Sequence, residues 1–364
     1  MDALEHIPSA LEAHPAVMLA TVIGTSGSTP AVVLSRMLVA PGRTRLAGTI
    51  GGGCIESDVI AAADELCAAG RSAIMTFTLT EDHPESGMLC GGTLNVFIEP
   101  VLKSDAAFVA ALLERRESGE DTIRGTASRH DGTMLGRFMM LVDAAGKLAA
   151  GRGVDPVQAL PGPLRARSSF VLDVAAETAL AGGARQLELE DATVVLERLR
   201  GAPALLLFGG GHVSLAVCRI AALAGFRVTV IDDRPEYASA ARFPDAARTM
   251  AVDFLAAFPQ LNVRPSASIV IVTRGHKADE LVLYESMKTQ AGYVGMIGSR
   301  KKVAATFERL IAGGVSADLL RRVRAPIGVD IGAATPEEIA VSIVAELIHH
   351  RRIPGVPLRF KSNR

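Results

Sequence analysis

Tryptophan is absent from this chain, and only three tyrosines occur in its 364 residues. The aromatic platforms on which a single-strand nucleic-acid binder stacks its bases are therefore missing. An excess of positive charge is missing too: 38 basic residues face 39 acidic ones, for a net charge of −1. Without a basic stripe, nucleic acid is not an expected partner. Cysteine is scarce. Four cysteines in so long a chain are no disulfide framework, and none stand as C-x-x-C, which excludes an ordinary zinc knuckle. No run approaches the roughly 20 apolar residues that span a bilayer. The N-terminal stretch MDALEHIPSALEAHPAVML carries acids and lacks the basic start and apolar run of a signal peptide. A cytoplasmic protein with no membrane partner is the expectation.

What is present is core-forming material, at 49% hydrophobic residues. The length favours two or three domains, because single cores stop growing near about 250–300 residues. The last part has the clearest pattern. ALLLFGGGH (204–212) is an apolar strand running into a glycine turn, and VSLAVCRIAALAG (213–225) continues as a helix with a closing glycine. FRVTVIDDR, SASIVIVTRGH and AGYVGMIGSRKK repeat the theme of short apolar strands ending in polar loops. Strands alternating with helices predict a doubly wound parallel sheet. Near the end, TPEEIAVSIVAELIHHRR (335–352) predicts a helix with Thr335 as N-cap, Pro336 in the first turn and Glu338 completing a capping box.

The first part holds one order of elements twice: strand, hairpin, helix, strand, strand. VMLATVIGTSGSTP through LNVFIEPV is one copy, and TIRGTASRHDG through ATVVLERL is the other. The Gly/Pro-rich stretch 151–167 reads as a loop inside the second copy. An α+β domain over residues 1–200, with internal duplication, would precede a Rossmann-like domain over 201–364.

Chemistry concentrates at two places. In FGGGHVS, Gly209 and Gly211 stand where a dinucleotide-binding turn has its first two glycines, and Ser214 replaces the third. Asp232 follows about twenty residues on, where an acid is expected to face a ribose hydroxyl. His212 could contact a ligand or cap the turn. The later loops carry Arg274, Gly275, His276, Lys277 and Asp279, then Gly298, Ser299, Arg300 and Lys301. Ligands of open parallel sheets bind beyond the carboxyl ends of strands, so these residues should ring one crevice. Gly-Ser-Arg-Lys at a helix start reads as an anion site, although a solvated basic turn accounts for Lys301 and Lys302 equally well.

The second place is GGGCIESD (51–58). Cys67 and Cys218 lie in apolar helical stretches and read as small core residues. Cys54 and Cys90 differ, since each abuts glycines. Cys54 falls near a helix N-terminus, a place that attracts anions and thiolates. Glu56 could accept a ligand's N–H. The second copy has neither the cysteines nor the triple glycine. Two soft ligands could face a transition metal or a cofactor carrying one, but two thiols cannot complete a structural zinc site. A functional thiol and simple packing both remain open from these features.

The motifs GSTP, GGGCIE, CGG, FGGGHV, VIDDRPEYA, TRGHKAD, MIGSRKK and APIGVDIGAATPEEIAVSI occur in this order and cover nearly the whole chain. As a set they resemble the XdhC/CoxI family of xanthine dehydrogenase maturation factors. The resemblance implies a non-catalytic accessory protein. It would bind the molybdenum cofactor (molybdopterin) as cargo and help to insert its sulfurated form into a molybdenum hydroxylase. It also implies a cysteine desulfurase as partner and a homodimer. Cys54 and Cys90 would face the molybdenum, while Gly209, Gly211 and Arg300 would take the tail of the cofactor. Two other classes compete. An NAD(P)-dependent oxidoreductase shares the glycine turn and Asp232, but should show a nicotinamide-facing acid or base, and none is evident. A redox or nucleotide sensor would close Cys54 and Cys90 into a reversible disulfide. A plain scaffold would not gather so many polar groups at strand ends.

Overall fold

The computed structural model describes residues 2–79, 91–143, 145–149 and 160–353. The chain divides into two compact units, Met1–Gly201 and Ala202–Arg364.

The first unit holds two five-stranded antiparallel sheets built on one plan. Helix α1 (Ile7–Ala13) leads into β1 (Ala16–Gly27), β2 (Arg36–Ala40) and β3 (Thr44–Gly48). Helix α2 (Gly53–Ala69), β4 (Ala73–Leu79) and β5 (Gly92–Leu102) complete the copy, in the order β3-β2-β1-β5-β4. The second copy runs α3 (Ala106–Glu117), β6 (Asp121–Ser128), β7 (Met134–Val142), β8 (Leu148–Ala149), α4 (Ser168–Ala181), β9 (Ala184–Glu188) and β10 (Thr193–Leu199). Its order, β8-β7-β6-β10-β9, is the same. Of the stretch expected to be a loop, 160–167 is described, and Gly162–Arg167 is a 3-10 helix leading into α4.

Register makes the duplication residue-specific. Thr21 opposes Arg36 across β1 and β2, and Thr126 opposes Arg137 across β6 and β7. Leu19 opposes Glu99, and Arg124 opposes Glu197. Val59 and Ala63 of α2 are fully buried, as are Val171 and Ala175 at the same spacing before the glycines that close the two helices.

The two copies share a buried ion cluster. Arg36 reaches Glu197 of the other copy at 2.8 Å, and Arg137 reciprocates to Glu99 at 3.1 Å. Arg124 joins the pairs, touching Glu99 and lying 3.2 Å from Glu197. Buried charge is tolerated only when paired and hydrogen-bonded, and here each glutamate has at least two arginine partners. Burial pushes the Glu99 carboxyl up, but Arg124 and Arg137 outweigh it and hold it below the usual carboxylate range.

The second unit is a six-stranded parallel sheet. Its elements are β11 (Ala204–Phe208), α5 (His212–Leu223), β12 (Arg227–Asp232), β13 (Arg248–Ala251), α6 (Phe254–Ala257), β14 (Ser268–Ile271), α7 (His276–Met287), β15 (Tyr293–Met296), α8 (Arg300–Ala312), α9 (Ala317–Leu320), β16 (Val323–Arg324) and α10 (Pro336–Arg352). The order β13-β12-β11-β14-β15-β16 reverses direction beside β11, which opens a crevice between β11 and β14. Both faces are covered. Leu205 and Leu207 join one core with Val217, Ile343 and Leu347, whereas Leu206 and Phe208 join the other with Ile271, Val282 and Leu310. That is why β11 is apolar at every position rather than at alternate ones. Helix α10 begins as its sequence predicts: Thr335 Oγ1 accepts from Glu338 N at 3.2 Å, and the Glu338 carboxylate accepts from Thr335 N at 3.0 Å. No helix among the described residues is long and apolar enough to cross a membrane.

Candidate functional site

In the first unit, GGGC forms the turn into α2. Gly51, Gly52 and Gly53 have φ of 122°, 83° and 66°. Three successive positive values are feasible only without side chains. A Cβ on Gly51 would also lie 2.9 Å from the Pro30 ring, so the turn is packed against GSTP. On its other side, GSTP meets the residues after Cys90. A Cβ on Gly92 would collide with the carbonyls of Ser26 and Ser28. The β1–β5 pairing runs on to Gly27 and Gly92, whereas its counterpart in the second copy ends at Ser128 and Thr193. Thr193 and Asn95 are equivalent, so the first copy has extra strand that carries its loops forward. Three motifs far apart in sequence thus converge. Cys54 is exposed in the first turn of α2. Cys90, its expected companion, lies outside the described residues. Among the described residues, no three His, Cys, Asp or Glu side chains group as a metal site.

Glu56 does not have the role expected of it. It is buried, and its Oε1 accepts from Thr49 Oγ1 at 2.5 Å and from the backbone N–H groups of Ile50 and Gly52, both at 3.1 Å. Its Oε2 accepts from Arg45 at 2.9 Å. Burial raises its pKa, but these donors outweigh burial and hold it below the usual range. Glu56 therefore fixes the glycine turn from inside. Little acceptor capacity remains for a ligand. Thr49 and Arg45, the other parts of this brace, were not singled out from sequence, because nothing local marks them.

The remaining two cysteines are set within helices, and burial disfavours the thiolate of each. Cys218 is buried in α5, where burial raises its thiol to about 11. Cys67 is partly buried and packs against the same core as Leu66, Met75 and Phe77, and burial raises it as well.

In the second unit, the crevice collects the expected loops at the carboxyl ends of β11, β14 and β15. His212, Gly275, His276, Ser299 and Arg300 are all exposed there. Gly275, with φ of 89°, precedes α7, and Ser299 caps α8 by accepting from Lys302 N at 3.2 Å. The three glycines of the turn divide their work. A Cβ on Gly209 would collide with the Val272 carbonyl, and one on Gly210 with the Tyr237 carbonyl. Gly211 has nothing within 4 Å of where a Cβ would be, so it alone faces open space. Ser214 is fully buried within the face of α5 that packs on the sheet, and it does not line the crevice.

Three expectations change here. Asp279 does not ring the crevice. It is fully buried, accepts from Thr273 Oγ1 at 2.6 Å and pairs with Lys302 at 2.5 Å. Lys302 accordingly is no solvated charge, and it ties the loop after β15 to the loop after β14. Asp232, expected to face a ribose, is turned inward. Its Oδ2 accepts from Gly210 N at 2.8 Å and Arg234 Nη2 at 3.1 Å, and its Oδ1 from Arg234 N at 3.1 Å and Nε at 2.9 Å. Arg234, within VIDDRPEYA, and Arg242, four residues beyond it, complete this arrangement, and no spacing rule marks either.

The model of the XdhC Rossmann domain matches residues 205–347, and that of the XdhC and CoxI family matches residues 10–78. Together they cover more than half of the chain. A Bacillus subtilis (strain 168) protein, named as a probable subunit of xanthine dehydrogenase, is 26% identical over 354 residues, spanning 94% of this chain and 95% of that protein. "Uncharacterized protein YqeB" of Escherichia coli (strain K12) is 35% identical over 147 residues, which are 40% of this chain but only 27% of that protein. A crystal structure described as a xanthine dehydrogenase from Bacillus halodurans shares the fold, with a TM-score of 0.70 at 23% identity over 98% of both chains. On these matches and on the architecture of its two units, the chain belongs to the XdhC and CoxI family.

Proposed function

We propose that this protein is an accessory factor for a molybdenum hydroxylase of the xanthine dehydrogenase type. It holds the molybdenum cofactor as cargo and aids insertion of the sulfurated form into the apo-enzyme. A cysteine desulfurase is its sulfur-supplying partner, and it works as a homodimer. Family membership supports this reading, as does the name of the Bacillus subtilis relative.

One observation carries the assignment of a site. The two copies of the first unit match strand for strand, yet only the first bears the glycine turn with an exposed Cys54. Packing needs common to both copies would be met alike in both. A thiol presented by one copy alone serves something else, and a soft sulfur donor suits a molybdenum–dithiolene head. Glu56 holds the turn, and Cys54 meets the cargo.

The test is Cys54→Ala. Native mass spectrometry of protein loaded with the molybdenum cofactor should show at least tenfold weaker retention. Activation of the partner hydroxylase should fall with it. Retention and activation both equal to wild type would remove Cys54 from the mechanism.

A further inference from the structure

We infer that Asp232 is a latch for the glycine turn rather than a ribose ligand, and that the crevice so built selects against an adenosine ribose diol. This inference concerns the second unit alone and stands apart from the role of Cys54.

A dinucleotide site of this fold uses the acid at the end of its second strand to accept the hydroxyls of the ribose. Those hydroxyls are donors, so the acid must offer lone pairs. A carboxylate has about four acceptor positions. Asp232 already has four donors on them, one from the Gly210 N–H and three from Arg234. Its side chain is 2% exposed, so solvent does not reach it and a ribose would not either.

The neighbours hold this arrangement in place. The Arg234 guanidinium lies 3.5 Å above the Tyr237 ring, with Arg242 also near that ring at 5.1 Å. Arg242 Nε donates to the Gly210 carbonyl at 3.0 Å. The Gly210 peptide is thus pinned through its N–H by Asp232 and through its C=O by Arg242. The Tyr237 carbonyl sits so close over Gly210 that a side chain there would collide with it. The segment after β12 is therefore folded down over the turn. Admitting a ribose at Asp232 would require the Arg234 guanidinium to leave the Tyr237 ring and give up its two hydrogen bonds to the carboxylate. Gly211, His212 and the loops after β14 and β15 remain open, so selection is against the ribose end and not against ligands as such.

The test titrates the full-length protein with ADP-ribose and with NADH, followed by calorimetry. No saturable binding with Kd below 1 mM is expected. A Kd below 1 mM for either ligand would overturn the inference. Asp232→Asn is then compared with wild type in thermal unfolding across the acid range. Burial raises the Asp232 pKa, but hydrogen bonds from Arg234 and Gly210 outweigh it and set the folded value below the ordinary one. Its stabilisation is thus full above the unfolded pKa and is lost as pH falls through the folded value. The asparagine variant should melt lower at neutral pH, with the gap closing in acid. An equal Tm at neutral pH would overturn the latch. A variant that fails to fold supports it, and the wild-type titration still decides the selectivity.

Discussion

Replacing Glu56 by glutamine separates the brace of the glycine turn from its thiol. Glutamine keeps one acceptor oxygen for Thr49, Ile50 and Gly52, but sets an NH2 group against Arg45. The Arg45 side chain is 52% exposed, so that ion pair by itself is worth no more than about 1 kcal/mol. The larger loss is charge assistance to the two backbone bonds and to the 2.5 Å bond from Thr49. Hydrogen bonds to charged groups contribute about 1.5–3 kcal/mol, against about 0.5–1.5 for neutral ones. Part of that difference survives in glutamine, so local opening of the turn should become easier by about 2 kcal/mol. At about 1.4 kcal/mol per factor of ten, exchange at the Ile50 and Gly52 amides should quicken roughly 30-fold. Hydrogen exchange read by NMR measures this directly. The carboxyl also predicts a pH limb. Its folded pKa lies below the ordinary value, so protection is full above the unfolded pKa and is lost as pH falls through the folded one. After correction for intrinsic rates, wild type should show that limb and the glutamine variant should not. Unchanged protection of both amides in Glu56→Gln would refute the reasoning, and Glu56 would again be available to a ligand.

Further predictions concern the two scaffolds. Arg124→Leu, which copies the Leu19 found at the equivalent place, should destabilise the first unit by about 3–5 kcal/mol, because Glu99 and Glu197 each lose a partner while buried. Urea unfolding at unchanged m-value checks it, and a loss below about 1 kcal/mol would show the cluster to be dispensable. In the turn after β11, Gly210→Ala should prevent stable folding of the second unit. Gly211→Ala should leave its Tm within a few degrees of wild type, since only the first adds a methyl group where backbone already stands.

Much of the fold was legible because it rests on local chemistry. Apolar runs closed by glycine fixed the parallel strands, and T-P-E-E fixed the start of α10. The duplication could be seen in the repeated order of elements. Its consequence could not, since Arg36 and Glu197 are 161 positions apart and pair only because the two copies pack on each other. Candidate site residues divide in the same way. Cys54, His212, His276 and Arg300 lie exposed at loop mouths, where position along a strand–turn–helix unit decides exposure. Glu56, Asp232, Asp279 and Lys302 were misread, all for one reason. A charged side chain at a loop mouth looks available in sequence, but the fold of the loop turns it onto near neighbours such as Thr49, Arg234 and Thr273.

The sequence by itself determined the parallel sheet with its glycine crevice, the repeated α+β plan and the asymmetric cysteine, because strand period, helix caps and turn glycines are written within a few residues. Only the tertiary structure decided which acids face a ligand and which hold the backbone that would bind it. A carboxylate is a ligand or a brace according to the donors that reach it, and the folded course of the loops decides which donors those are.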